Sequence, residues 1–203
     1  MKKGFLLFML MLSIFTAPFA FAGDDATNTD GLTLTMTVGD VTLDVDGDYT
    51  WKNLVEEPGL KSGTDAYKKA HSECMAWDSL WADYRKAKTD GDYAKAEVVA
   101  PYSVLKGWCA WHQGCQRIGS MQEVEGRGNI YVYSPDTPKE ELEAALKDFQ
   151  RALRWANVSK TAKVVGMGNP AHNTDALIKQ VKRSIDVVET MLNGGDKQVK
   201  TKK

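Results

Sequence analysis

Two aromatic stripes constrain the fold of this chain more strongly than any other feature of its sequence. In each stripe, apolar and aromatic side chains recur at alternating steps of three and four residues, the spacing of one face of an α-helix. The first stripe comprises Tyr67, Ala70, Cys74, Trp77, Trp81 and Tyr84, and the second comprises Val104, Trp108, Trp111, Cys115 and Ile118. We therefore predict helices over 64–88 and 92–118, with Trp77, Trp81, Trp108 and Trp111 packed between them rather than exposed to a ligand.

The second predicted helical segment, 92–118, contains residues that disfavour a continuous helix. Pro101 lacks a backbone N–H, so we expect it to kink the helix or to restart it. Three glycines should also weaken the segment, because glycine disfavours the helical backbone; they are Gly107, Gly114 and Gly119. The two segments together are expected to form an antiparallel helix hairpin.

Two further helices follow in the second half of the chain. The sequence Thr137-Pro138-Lys139-Glu140 is typical of a capping box with proline at the first helical position, which predicts a helix over 138–158. A last apolar stripe predicts a helix over 174–192 with Asn173 or Thr174 as its N-cap. This stripe consists of Leu177, Ile178, Val181, Ile185, Val188 and Leu192.

Residues 32–46 alternate between apolar and polar side chains on either side of Gly39-Asp40, a pattern typical of a β-hairpin. A two-residue turn at Gly39-Asp40 would pair Val38 with Val41, Met36 with Leu43 and Leu34 with Val45. Because a lone hairpin is only marginally stable in water, residues 129–133 are a candidate third strand. The predicted fold class is mainly α (α+β), an antiparallel helix bundle with a small N-terminal β-hairpin of two or three strands.

Residues 1–22 have the three regions of a secretory signal peptide. Lys2 and Lys3 are followed by an apolar run, and Ala20-Phe21-Ala22 provides the small residues of a cleavage site. The apolar run is too short to span a bilayer comfortably, and no later segment reaches the length required. We therefore expect cleavage near Ala22, no transmembrane anchor, and a periplasmic or secreted protein.

Composition and net charge indicate the class of protein and its domain organisation. With 43% hydrophobic and 26% charged residues, the 203-residue chain has the composition of a globular protein. We expect a disordered acidic N-terminus over 23–30, one globular domain over 31–195 and a basic tail over 196–203. The formal net charge of −1 argues against a general affinity for nucleic acid.

The three cysteines, Cys74, Cys109 and Cys115, are expected to meet an oxidising compartment after export. On a helix hairpin that turns near Asp90, Cys74 is level with residue 106, which lies within about one turn of Cys109, whereas Cys115 lies roughly 13 Å beyond that level. We therefore predict a Cys74–Cys109 disulfide, which would add roughly 4 kcal/mol of stability on the chain-entropy model. Cys115 would then be a buried free thiol.

An alternative use of the same region is a metal or haem site. Soft ligands occur on two segments that we expect to pack together, namely His71, Cys74, Cys109, His112 and Cys115. On an ideal helix, Cys109 and Cys115 point about 120° apart, so both can hold one ion only if the helix breaks near Gly114. The disulfide is therefore preferred, and no metal or cofactor is expected.

Two other tryptophans are candidate surface residues. Trp51 follows the hairpin, and Trp155 lies off the apolar stripe of its helix, flanked by Arg151 and Arg154. An indole buries a large area at a small entropy loss, and the two flanking cations suit an acidic partner. We therefore predict partner binding by Trp51, Tyr131, Arg151, Arg154 and Trp155.

Two weaker patterns are less specific. Asp44-x-Asp46-Gly47-Asp48 begins like a calcium loop, but Tyr49 and Val55 stand where an EF-hand needs glycine and glutamate. We expect a solvated acidic strand end, with a weak cation site at Asp44, Asp46 and Asp48 as the alternative. The glycine-containing stretch 166–170 matches no phosphate-binding pattern and predicts a connection between helices.

The sequence contains no catalytic motif, and His71, His112 and His172 have no nucleophile in a recognisable pattern. We therefore expect an exported, soluble, non-enzymatic binding module whose partner is another envelope or secreted protein. A metal- or haem-binding protein is the first alternative. The second alternative is an exported hydrolase with a noncontiguous site, in which His112 or His172 would lie in a pocket beside a carboxylate.

Overall fold

The computed structural model describes residues 28–126, 128–162 and 173–194. In chain order the elements are β1 (Thr35–Val38), β2 (Val41–Asp44), a π-helical turn (Lys52–Glu56), α1 (Asp65–Thr89), α2 (Tyr93–Val99), α3 (Ser103–Ile118), β3 (Gly119–Val124), β4 (Gly128–Tyr133), α4 (Lys139–Thr161) and α5 (Thr174–Leu192). The predicted mainly α fold with a small N-terminal β-hairpin is confirmed. None of the helices in these three segments has the length and apolarity needed to cross a bilayer.

Several predictions fall on residues outside the described segments. They are the signal peptide over 1–22, the first part of the acidic N-terminus, the connection at 166–170, His172 and the basic tail over 196–203. These stay predictions of the sequence.

The N-terminal hairpin has the predicted register, with its turn at Gly39-Asp40. All three predicted pairs are present: Val38 with Val41, Met36 with Leu43 and Leu34 with Val45. The side chains of Met36 and Leu43 are buried in the core, where they contact the helices. The alternation in the sequence therefore corresponds to one buried and one exposed face of the hairpin.

Pro101 separates two helices, so the predicted segment over 92–118 restarts there. α2 ends at Val99, and α3 begins at Ser103. The Asp46 carboxylate accepts a hydrogen bond from the main-chain N–H of Ser103 at 2.8 Å, and so caps the amino end of α3. This contact fixes the N-terminal hairpin to α3.

The candidate third strand forms a separate sheet. Residues 129–133 lie in β4, which pairs with β3 in an antiparallel ladder, whereas β1 and β2 form a sheet of two strands. Because α3 continues directly into β3, the chain supplies β4 with a neighbour close in sequence. The three-stranded alternative is therefore not formed, and the N-terminal hairpin instead packs its apolar face on the helices.

Of the two N-caps predicted in the second half of the chain, the one at α4 is not formed and the one at α5 is. At α4 the N-cap is Pro138, and the Thr137 hydroxyl donates to the carbonyl of Ser134 at 2.7 Å instead of capping the helix. The predicted capping box is therefore wrong, although the helix begins where expected. At α5 the side chain of Asn173 accepts hydrogen bonds from two main-chain N–H groups, as predicted.

α3 packs against α2, α4 and α5, and α4 packs against both α3 and α5. The aromatic stripes contribute to the core, with Trp77 and Trp111 buried and Trp81 and Trp108 partly buried against it. They do not pack on each other as predicted, because α1 packs mainly against α2, and the Trp111 indole on α3 instead contacts Ser184 of α5 and Tyr131 of β4. α3 contributes side chains to two cavities formed by the described residues.

Candidate functional site

A cavity of about 560 Å³ lies between β1 and α2. One wall is the chain from Gly31 to Thr37, and α2 contributes Glu97 and Val98 to the lining. Lys106, Arg151 and Trp155 also line this cavity, which we call the β1 groove. The groove brings together Arg151 and Trp155, two of the five predicted partner-binding residues.

β1 presents an unpaired main-chain edge to the β1 groove. Leu34, Met36 and Val38 form the hydrogen-bonded pairs with β2, so the N–H and C=O groups of the alternate residues point away from β2. Those alternate residues are Thr33, Thr35 and Thr37, and all three line the groove. In the described part of the chain no third strand pairs with this edge.

Lys106 is the most deeply buried cation of the groove, with 3% of its surface exposed. Its Nζ donates to the main-chain carbonyls of Glu97 at 2.7 Å and Val98 at 2.8 Å, and lies 5.5 Å from the centre of the Trp155 ring. These carbonyls belong to the last turn of α2, where they have no partner within the helix. Burial lowers the pKa of Lys106 to about 8, and the cation offsets the negative end of the α2 dipole.

Glu97 joins α2 to α4 through a network of charged hydrogen bonds. Its carboxylate accepts from Arg151 Nε at 2.9 Å, from Arg151 Nη2 at 3.1 Å and from Trp155 Nε1 at 3.0 Å. Arg151 also donates to Asp148 at 2.8 Å, and Asp148 accepts from Arg117 at 2.7 Å. The charge of Arg151 is therefore balanced inside the protein.

The structure corrects the expectation that Trp155 is a surface residue. Trp155 is only 3% exposed, because α4 packs against two helices and buries more than its apolar stripe. Arg151 is paired with internal carboxylates, so it is not free for an acidic partner. Sequence reasoning also missed Glu97. A signal was available, because Glu97 is the only acidic residue of α2.

A second cavity, of about 360 Å³, lies between α3, α5 and the β3–β4 hairpin. Its lining includes Trp111 and His112 from α3, Tyr131 from β4, and Arg183 and Val187 from α5. We call it the aromatic cavity. It contains Tyr131, another of the predicted partner-binding residues.

His112 is held inside this second site by two tyrosines. Its ring stacks on Tyr93 with the centroids 4.2 Å apart, and its Nδ1 lies 3.0 Å from the Tyr131 hydroxyl. Burial, and then the nearby Lys88, lower the pKa of His112 to about 4, so the imidazole is neutral near neutral pH. No carboxylate of the described segments lines the aromatic cavity, whereas the hydrolase alternative expects one beside the histidine.

Ser184 is the hydroxyl of the aromatic cavity that most resembles a nucleophile. Its Oγ accepts from Trp111 Nε1 at 3.0 Å, lies 3.1 Å from the Tyr133 hydroxyl and donates to the Gln180 carbonyl at 3.2 Å. These contacts do not join Ser184 to His112. Among the described residues, the hydrogen bonds of Ser184 therefore include no histidine that could act as a general base.

The remaining predicted partner-binding residues lie elsewhere. Trp51 is 40% exposed, and its ring lies edge-on to Tyr67 and His71. Arg154 is partly buried, and its Nε has no hydrogen-bond partner within the described segments. The five predicted residues are therefore divided between the β1 groove, the aromatic cavity and other parts of the molecule.

All three cysteines are buried and free, so the predicted Cys74–Cys109 disulfide is absent from the structure. Cys74 lies on α1, which packs mainly against α2, whereas Cys109 lies on α3, which packs against α2, α4 and α5. A disulfide requires Cα atoms within about 7 Å, and the predicted pairing assumed that the two long helices lie directly against each other. The short helix α2, inserted between α1 and α3, changes the register that a single hairpin turn would give.

The metal alternative likewise lacks a cluster of ligands. Among the residues that the structure describes, no group of three His, Cys, Asp or Glu side chains is placed to hold a metal ion. His71 is exposed on α1, and His112 belongs to the aromatic cavity. Of the calcium-like acids, Asp46 caps α3 and Asp48 accepts from the N–H of Thr50 at 3.4 Å.

Comparison with known proteins gives no match to a family model, to a curated protein or to a solved structure.

Proposed function

We propose that the protein is an exported, non-enzymatic binding module that holds an extended segment of another envelope or secreted protein as an added strand on β1. The observation that carries this proposal is the free main-chain edge of β1, which lies along the β1 groove. Strand addition uses such an edge, because main-chain hydrogen bonds supply affinity and pockets for alternate side chains supply specificity.

The edge offers enough main chain for a short added strand. Thr33 and Thr37 are four residue steps apart, or about 13 Å in an extended chain. A segment of about five residues would pair with the outward N–H and C=O groups of Thr33, Thr35 and Thr37. Natural edge strands are usually blocked by charge or proline, whereas β1 contains neither.

Apolar side chains of the groove supply the specificity. The side chains of an added strand alternate in direction, so every second one would face the groove. There they would meet Leu80, Val98 and Trp155, of which Val98 is 71% exposed. Covering Val98 removes apolar surface from water, so we expect apolar residues at alternate positions of the bound segment.

The charged groups of the groove favour a neutral segment over an acidic one. Arg151 is paired with Glu97 and Asp148, and Lys106 is held by the carbonyls at the end of α2. An acidic side chain in the groove would compete with Glu97 for Arg151 and would lose its own hydration. The acidic partner expected from the sequence is therefore replaced by an extended apolar one.

Export and the absence of catalysis rest on separate observations. The signal-peptide pattern over 1–22 supports export. The hydrogen bonds of Ser184 and His112 lead to different neighbours, which favours binding over hydrolysis.

Thr35→Pro tests strand addition directly. The N–H of Thr35 points away from β2, so proline removes a donor from the free edge without removing a β1–β2 hydrogen bond. Thr42→Pro is the matched control, because Thr42 lies opposite Thr37 in β2 and its N–H points to the other edge of the same hairpin. Urea unfolding of both variants checks that the two are equally stable.

The probe is a displayed library of random peptides about ten residues long. Peptides selected on the unaltered protein should carry apolar residues at alternate positions and should bind Thr42→Pro as tightly as the unaltered protein. Thr35→Pro should weaken them about tenfold, the effect of losing about one main-chain hydrogen bond. Equal binding to the two proline variants, or failure to select any peptide, would contradict the proposal.

A further inference from the structure

Among the described residues that line the aromatic cavity, one is a cation that a ligand could contact and none is an anion. Arg183 lines the cavity from α5 and is exposed. Within the described segments Arg183 forms no salt bridge, and no carboxylate lines the cavity. The imidazole of His112 is already engaged with Tyr131. The charge of the site therefore complements an anion.

The indole, hydroxyl and imidazole groups that line the cavity are hydrogen-bonded to one another. Trp111 Nε1 donates to Ser184 Oγ at 3.0 Å, and the Tyr133 hydroxyl lies 3.1 Å from the same oxygen. The Tyr131 hydroxyl is 3.0 Å from His112 Nδ1. These groups already have hydrogen-bond partners, so a ligand does not have to supply one. An apolar part of a ligand can therefore lie against them.

Aromatic side chains give the lining its shape. Trp111 and Tyr131 meet edge to face with their ring centroids 5.6 Å apart, and His112 lies 5.6 Å from Tyr131. Such a set presents ring faces and ring edges, against which a further flat ring packs well. The volume of about 360 Å³ is at the lower end of the range for ligand cavities, which suits a molecule of one or two rings.

We propose that the aromatic cavity binds a small aromatic carboxylate, with its ring among Trp111, Tyr131 and Val187 and its carboxylate on Arg183. A guanidinium donates two parallel N–H bonds to one carboxylate, which fixes the orientation of the ligand. A neutral aromatic compound leaves Arg183 without a partner, and an aliphatic acid loses the ring-to-ring contacts. The site is separate from the β1 groove, and this proposal does not depend on strand addition there.

Three probes of similar size separate the two parts of the proposal. Phenylpropionate has both the ring and the charge, phenylpropanol has only the aromatic ring, and cyclohexylpropionate has only the charge. Each is titrated calorimetrically into the full chain near neutral pH. Phenylpropionate should bind about tenfold more tightly than either of the other two probes. Relative to phenylpropanol, the difference is the effect of one charge-assisted hydrogen bond; relative to cyclohexylpropionate, it is the effect of the aromatic contacts that the saturated ring loses.

Two substitutions on α5 form a matched pair. Arg183→Gln should weaken phenylpropionate about tenfold and leave phenylpropanol unchanged. Lys182→Gln removes a neighbouring exposed cation that does not line the cavity, so it should bind both probes like the unaltered protein. Arg183 is exposed, so its replacement should leave the protein folded, which urea unfolding checks.

Three results with these probes and the two substitutions on α5 would overturn the proposal. The first is that none of the probes binds at millimolar concentration, and the second is that phenylpropionate and phenylpropanol bind equally. The third is equal affinity of Arg183→Gln and Lys182→Gln for phenylpropionate. As a further measurement, Val187→Trp fills the cavity while keeping Arg183, so it should abolish binding; retained binding would place the acid elsewhere and also overturn the assignment.

Discussion

Acidification should destabilise this protein through His112. The ring is stacked on Tyr93, and burial, followed by the nearby Lys88, lowers its pKa from 6.5 to about 4. In the unfolded chain the imidazole recovers its ordinary pKa of about 6.5. Between about pH 6.5 and pH 4 the unfolded state therefore binds a proton that the folded state does not, so stability falls as the pH falls.

The size of this effect follows from the difference between the two pKa values. Each pKa unit is worth about 1.4 kcal/mol, so the fall to about 4 corresponds to about 3 kcal/mol of folding free energy. This loss is absent near neutral pH and is nearly complete at about pH 4. It is a substantial part of the roughly 5–15 kcal/mol that stabilises a typical domain.

Urea unfolding near neutral pH and at about pH 4 measures the effect. His112→Asn removes the titrating ring and keeps a polar atom near the Nδ1 position for Tyr131, so its stability should fall by about 3 kcal/mol less than that of the unaltered protein on acidification. His71→Asn is the control, because His71 is exposed on α1 and lines neither cavity. If His112→Asn loses as much stability on acidification as the unaltered protein, the reasoning is refuted.

Two further predictions concern the charged network and the thiols. Glu97→Gln should lower the free energy of unfolding by about 3 kcal/mol, because the substitution leaves Arg151 incompletely paired. The control Glu143→Gln removes an exposed pair with Lys139 and should change the free energy of unfolding by less than about 1 kcal/mol. Urea unfolding compares the two, and equal losses would contradict the role of the network. Burial raises the pKa of Cys109 and of Cys115 to about 12, so iodoacetamide should leave both thiols unlabelled in the native protein. Intact mass after alkylation of the unfolded, unreduced protein should show three labels; one label would instead support the Cys74–Cys109 disulfide.

Local patterns account for the elements that the sequence predicted well. The register of the N-terminal hairpin follows from strict alternation about a turn at Gly39, whose positive φ of 59° suits glycine. The start of α5 follows from the side chain of Asn173, which accepts from N–H groups two and three residues later. In both elements the deciding contacts lie within a few residues, so a pattern in the sequence determines them.

The β1 groove could not be predicted in the same way, because its parts are distant in sequence. Glu97 meets Arg151 across 54 residues and Trp155 across 58 residues. The single apolar stripe of its helix predicts a surface position for Trp155, and only the packing of α4 against two helices shows why it is buried. Lys106 stands in an otherwise apolar stretch, which is a signal for a buried cation but does not reveal the carbonyls that hold it.

The glycines of α3 show how a local and a tertiary argument about the same residues can differ. Considered alone, each glycine weakens a helix by about 1 kcal/mol relative to alanine. In the fold, a Cβ at Gly114 would lie 2.6 Å from the Phe149 ring, and a Cβ at Gly107 would lie 2.6 Å from Leu177. These positions therefore let α3 approach α4 and α5 closely. α3 also carries Lys106 and Trp111. The same close approach places Lys106 in the β1 groove and Trp111 in the aromatic cavity.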